Sequence, residues 1–117
     1  MAKVVSGSGD ATARIWDTAT GQALHVIHGD VSPIFVVKWS PDGIRIVGGD
    51  LEGVLRVWNA ATGQQLTTIQ GSLGPIIDVE WSPDSVELAY SGPSRMIHIV
   101  DVSAVEFHAT ATPVRER

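Results

Sequence analysis

Trp16 recurs as Trp58 and Trp39 recurs as Trp81, and both steps are 42 residues long. The same step carries Thr20-Gly21-Gln22 onto Thr62-Gly63-Gln64, Leu24 onto Leu66, and Gly29 onto Gly71. It also carries Pro33-Ile34 onto Pro75-Ile76 and Trp39-Ser40-Pro41-Asp42 onto Trp81-Ser82-Pro83-Asp84, with no gap anywhere. A fixed period of this length marks a chain built from copies of one supersecondary unit, each burying its apolar surface on its neighbours.

Within one unit the residues read as short strands separated by turns. Residues 34–40 are rich in β-branched and aromatic side chains, and Ser40-Pro41-Asp42-Gly43 then supplies a tight turn. Proline sits where its fixed φ suits a type I turn, and glycine closes it. Residues 44–48, 54–59 and 64–70 follow as further strands, separated by Gly48-Gly49-Asp50 and Ala60-Ala61-Thr62-Gly63. The strands are apolar on both sides, as in Ile34-Phe35-Val36-Val37, whereas a sheet with one wet face alternates. Four antiparallel strands in about 42 residues, covered on both faces, describe one blade of a β-propeller. A β-sandwich also uses short, regularly spaced strands, but sandwiches do not repeat their sequence.

Trp16-Asp17, Trp58-Asn59 and Val100-Asp101 resemble the Trp-Asp dipeptide that ends the third strand in the WD-repeat family. The Ser-Pro-Asp-Gly turn and the Asp17 to Gly21 connection resemble that family too. The resemblance covers nearly the whole chain and implies an all-β fold of four-stranded antiparallel blades, open and incomplete at about 2.7 blades. Residues 1–28 are expected to form an incomplete first blade, 34–70 a complete one and 76–111 the last. Trp16, Asp17, Trp39, Trp58, Asn59, Trp81 and Asp101 are expected to be structural, with the tryptophans covered by neighbouring blades.

Departures from the family pattern are visible. Asp30 and Ser72 follow the glycines Gly29 and Gly71, where the family often has histidine. Asp10 fits the acidic position in the turn before the third strand, and Glu52 and Ser94 align with it. Val100 replaces tryptophan, so the hydrogen-bonded network within the blades is incomplete and the last unit is expected to be the least stable. The tail reads two ways. By register 106–111 is a fourth strand, yet Ala104-Val105-Glu106-Phe107 resembles the first-strand sequence Asp78-Val79-Glu80-Trp81 and could fill the first blade of a neighbouring copy. Chain order favours the fourth strand.

Catalytic chemistry finds no support. His25 and His28 are three apart, on opposite faces of a strand, and cannot share a metal ion. Asp10, Asp17, Asp42, Asp84 and Asp101 fall at turns or strand ends, where a carboxylate accepts backbone N–H bonds. Gly7-Ser8-Gly9 and Gly48-Gly49 precede no helix and lack the lysine of a phosphate loop. No cofactor or metal is expected, and the chain reads as a non-enzyme. The net charge of -5 gives no basic field for nucleic acid, and no apolar stretch approaches the roughly 20 residues that span a bilayer. There is no cysteine, Met1-Ala2-Lys3 runs directly into a strand, and a cytoplasmic location is the expectation.

What the resemblance implies is a protein-interaction scaffold with a protein or peptide partner, bound through loops at one face of the propeller. The expected loop residues are Asp10, Asp30, Ser32, Asp50, Leu51, Glu52, Ser72, Gly74, Pro93 and Arg95. Their acidic members would favour a basic or neutral partner. Alternatives are a sensory piece of a multidomain signalling ATPase or kinase, and a propeller enzyme or lectin. Fewer than three blades cannot close a ring of 4–8, so the chain is expected to be part of a longer propeller or to self-associate.

Overall fold

The computed structural model describes residues 3–7, 10, 12–28, 33–71, 73–102 and 113–116. Among these there are eleven strands and no helix, and so none that could cross a membrane. The first sheet holds β1 (Lys3–Gly7), β2 (Thr12–Asp17) and β3 (Ala23–His28) in that order. The middle sheet holds β4 (Ile34–Trp39), β5 (Arg45–Asp50), β6 (Val54–Asn59) and β7 (Gln65–Gln70). The last holds β8 (Asp78–Trp81), β9 (Glu87–Ser91), β10 (Ile97–Asp101) and β11 (Pro113–Glu116). All neighbouring strands are antiparallel.

The repeat seen in the sequence is a repeat of geometry. β2, β6 and β10, the aligned strands of the three sheets, bulge at the same place, between Ile15 and Trp16, Val57 and Trp58, and Ile99 and Val100. Asp17 and Asn59, the residues after the tryptophans, cap the next turn: Asp17 Oδ1 accepts the Ala19 N–H, and Asn59 Oδ1 accepts those of Ala61 and Thr62. Gly21 and Gly63 complete those turns at φ of 74° and 76°, the left-handed region that glycine enters without a Cβ clash. In the Ser-Pro-Asp turns, Ser40 Oγ accepts the Arg45 N–H at 3.0 Å and donates to Asp42, and Ser82 does the same with Glu87 and Asp84. These serine bonds, together with the N–H groups of Ile44 and Val86, hold the Asp42 and Asp84 carboxyls below their ordinary value of 3.8.

The sheets stack in chain order, with the middle one covered on both faces. Ala13, Ile15 and Ile27 of the first sheet meet Ile34, Ile46, Trp58 and Ala60 of the middle one. The opposite face of the middle sheet, with Val47, Leu55, Val57 and Ile69, meets Ile76, Val79, Leu88, Tyr90 and Val100. Removing these side chains from water on both faces is the main stabilising term. Polar clamps cross the second interface. Arg45 donates to the carbonyls of Val102 and Ser85 at 2.7 and 2.8 Å and lies over the Trp81 ring. The Trp81 indole donates to the Lys38 carbonyl, and Lys38 pairs with Glu80 at 2.9 Å.

Two expectations need adjustment. Of the four tryptophans only Trp58 is fully buried; Trp39 and Trp81 are half-buried against the two cores. Trp16 pairs with Val4 on the face of the first sheet turned away from the middle sheet, and its indole donates to Ser6 Oγ at 3.0 Å. The tail strand that pairs with β10 is Pro113–Glu116, later than the 106–111 set by the repeat period. It takes the outer place in its own sheet. Residues 104–111, on which both sequence readings of the tail fell, lie outside the described residues.

Candidate functional site

The β1–β2, β5–β6 and β9–β10 turns are built from aligned residues, yet each holds its ends together differently. In the first sheet Asp10 Oδ1 accepts the Thr12 N–H at 3.1 Å, and Oδ2 stands 3.7 Å from Arg14. In the middle sheet the aligned residue, Glu52, does not take this part. Asp50 takes it from two positions earlier: its Oδ1 accepts the N–H groups of Glu52 and Val54 at 2.9 Å each, and its Oδ2 binds Arg56 at 2.7 Å. Val54 and Arg56 align with Thr12 and Arg14, so the same donors meet a carboxylate in both sheets. In the last sheet Ser94 stands at the place of Asp10 and His98 at the place of the arginine. The Met96 N–H reaches Ser94 Oγ only at 3.4 Å.

The environments of the two ion pairs differ sharply. The Asp50 and Arg56 side chains are 2% and 8% exposed, whereas those of Asp10 and Arg14 are 54% and 35% exposed. Arg56 stands directly across from Gly48 and His98 across from Tyr90, on whose ring it stacks at 5.1 Å. A Cβ on Gly48 would lie 2.7 Å from the Trp58 ring, so glycine is what admits the indole there. In the last sheet the bulk is exchanged: Tyr90 replaces the glycine and Val100 the tryptophan.

Beside the last turn opens a cleft of about 360 Å³, lined by Gly71, Leu73, Gly74, Pro93, Ser94 and His98. Its walls are the segment leading into β8 and the turn between β9 and β10. That first segment is tied to the middle sheet, because the Gly71 N–H donates to the Gly53 carbonyl and the Ile76 N–H to that of Asp50. Leu73 is fully exposed. Arg95, next to Ser94, is exposed and held at a φ of 65°. Gly53 occupies the aligned position in the middle sheet, at 88°.

Of the residues expected at this face, Gly74 and Pro93 come together in the cleft, and Arg95 adjoins it. Leu51 and Glu52 are exposed on the neighbouring turn, and Asp10 is exposed on the first. Asp50 is different. Its carboxylate is buried on Arg56 and presents nothing to solvent, because it holds its own turn closed. Asp30, Ser32 and Ser72 lie outside the described residues. Sequence reasoning missed Leu73, Ser94 and His98, although the 42-residue alignment of His98 with Arg14 and Arg56 was already a signal. Among the described residues no group of three histidine, aspartate or glutamate side chains is placed to hold a metal ion.

Residues 21–59 match the family described as "WD domain, G-beta repeat". The chain is 46% identical over 41 residues to ribosome assembly protein 4 of Saccharomyces cerevisiae, covering 35% of this chain and 8% of that protein. It is 48% identical over 42 residues to a guanine nucleotide-binding protein subunit beta of Arabidopsis thaliana, covering 35% of this chain and 11% of that one. In three dimensions it superposes on a chain of the mitotic checkpoint complex with a TM-score of 0.84 at 18% identity, over 98% of this chain and 33% of that one. The computationally designed Ika8 protein gives a TM-score of 0.81 at 26% identity, again over 98% and 33%.

These likenesses support a partial WD-repeat propeller.

It spans about a tenth of the length of these curated relatives and a third of the solved chains. Proteins with WD repeats generally act as protein-interaction scaffolds and are typically not enzymes. In this chain the Trp-Asp or Trp-Asn step serves the fold: tryptophan packs or bonds across the sheet, and the following Asp or Asn caps the next turn. The variable part is the turn before the third strand, closed by an acid in two repeats and open on a cleft in the last.

Proposed function

We propose that this chain is a protein-interaction scaffold that binds a segment of a partner protein in the cleft lined by Gly71, Leu73, Gly74, Pro93, Ser94 and His98. The observation that carries this reading is the cleft itself: a mostly apolar lining, polar groups at Ser94 and His98, and the fully exposed Leu73 among its residues. An exposed leucine beside a concave apolar surface is the kind of feature that marks an interaction site. A peptide side chain seated there would be desolvated on several sides, as binding hot spots are.

The test is a peptide-display selection on the immobilised chain, followed by affinity measurements on Leu73→Lys and on Leu24→Lys, a control on the first sheet. Selected peptides should lose about tenfold or more in affinity, roughly 1.4 kcal/mol, on Leu73→Lys and keep it on Leu24→Lys. Equal affinities for the two variants, or no enrichment, would refute this placement of the site.

A further inference from the structure

One buried contact is built twice in this chain. Its first side carries Ala13 and Ile15 in the first sheet and, 42 residues on, Leu55 and Val57 in the middle one. Its second side carries Ile46 and Trp58 in the middle sheet and Leu88 and Val100 in the last. Both sides recur at the ends of the stack. The outer face of the first sheet carries Val4 and Trp16, the counterparts of Ile46 and Trp58. The outer face of the last sheet carries Ile97, the counterpart of Ala13 and Leu55. Ala13, Ile46, Leu55 and Leu88 are fully buried, whereas Val4 is 48% exposed and Ile97 45% exposed. Trp16 is half-buried where Trp58 is enclosed. The two end faces are thus the two halves of one interface, each uncovered among the described residues.

We propose that copies of this chain associate head to tail, the outer face of the first sheet of one covering the outer face of the last sheet of the next. The occupant is a second copy because the contact continues the interface already made twice within the chain. Trp16 then packs with Ala89 and Ile97 as Trp58 does with their counterparts Val5 and Ala13. A hollow of about 180 Å³, lined in part by Ala89 and Ile97, opens there. Removing these exposed apolar side chains from water drives the association. Unlike faces that fit one another form a heterologous contact, which closes into a ring when the rotation allows. Each copy brings three sheets, so two copies make a ring inside the range of about 4–8 blades at which propellers close, and three copies exceed it.

Light scattering on the eluting chain, with Val4→Lys and Ile97→Lys beside wild type, tests this. Wild type should have the mass of two chains. Each variant should fall twofold in mass, to one chain, and keep its β-sheet circular dichroism, since both side chains are half exposed. An equimolar mixture of the two variants should regain the mass of two chains, because one contact of the pair is then unaltered. A monomeric wild type overturns the proposal and leaves the end faces to blades of other sequence. A dimer that survives one of the two substitutions is joined by like faces and also overturns it, as does a mixture that stays monomeric. If Val4→Lys fails to fold, Val26→Lys, on the same face of the first sheet, carries its part.

Discussion

The middle and last repeats share a backbone plan and differ in how tightly the plan is filled. The middle sheet is covered on both faces and locks its β5–β6 turn with a buried Asp50–Arg56 pair. It places glycine at the left-handed positions 43 and 53. The last sheet has Ser85 and Arg95 at those positions, both at a φ of 65°, where a Cβ is costly. Beside the corresponding turn it has a cleft lined by Ser94 and His98. One repeat is built for stability and its copy has given up some of that stability beside an exposed concave surface. Strain retained beside a binding site is a known pairing, and here the relaxed version of the same turn lies one repeat away.

The comparison breaks most directly at Trp58. Trp58→Ala should cost about 3–5 kcal/mol, as buried large-to-small changes do, because the indole fills the space over Gly48 between two sheets. Chemical denaturation measures it, and a loss under about 1 kcal/mol would mean that the middle sheet is not the tightly packed one. Next comes the ion pair. Asp50→Asn leaves Arg56 buried against a neutral partner and should cost on the order of 3 kcal/mol. Asp10→Asn, in the exposed counterpart, should cost about 1 kcal/mol or less. Similar losses for both would erase the distinction between a locked turn and a surface one.

The fold was legible because repetition amplifies weak local signals: Trp16 and Trp58, or the two Ser-Pro-Asp turns, support one another across 42 residues. The site was only half legible. Gly74 and Pro93, expected at this face from their place in the repeat, line the cleft, but Asp50, expected as a surface acid, is buried on Arg56. Alignment put the turn's acid at Glu52, and nothing in one sequence says that a carboxylate two positions earlier reaches the same N–H and the same arginine. His98 does not stand out in the sequence, because its meaning depends on which acid its counterparts Arg14 and Arg56 bind.

Smaller effects sharpen the account. Arg95→Gly should raise stability by about 1 kcal/mol, by relieving the left-handed backbone, and a thermal melt would register it; a loss would show that the Arg95 side chain holds the turn together. Acid titration tests the Ser-Pro-Asp turns. Because the folded Asp42 and Asp84 carboxyls titrate below 3.8, their contribution is present above that value and fades as pH falls through their lower folded values. Asp42→Asn should therefore be less stable than wild type at pH 7, and the gap should close as pH falls through the lowered folded value of Asp42. A constant gap would assign the loss to something other than the charge.

The most direct test of the contrast between a closed and an open turn is amide hydrogen exchange at two aligned positions. The Val54 N–H is held at 2.9 Å by a buried carboxylate, and the Met96 N–H faces the exposed Ser94 hydroxyl at 3.4 Å. Val54 should exchange only through large-scale opening, and Met96 through local motion, with protection lower by about a hundredfold or more. Equal protection of the two amides would contradict the account.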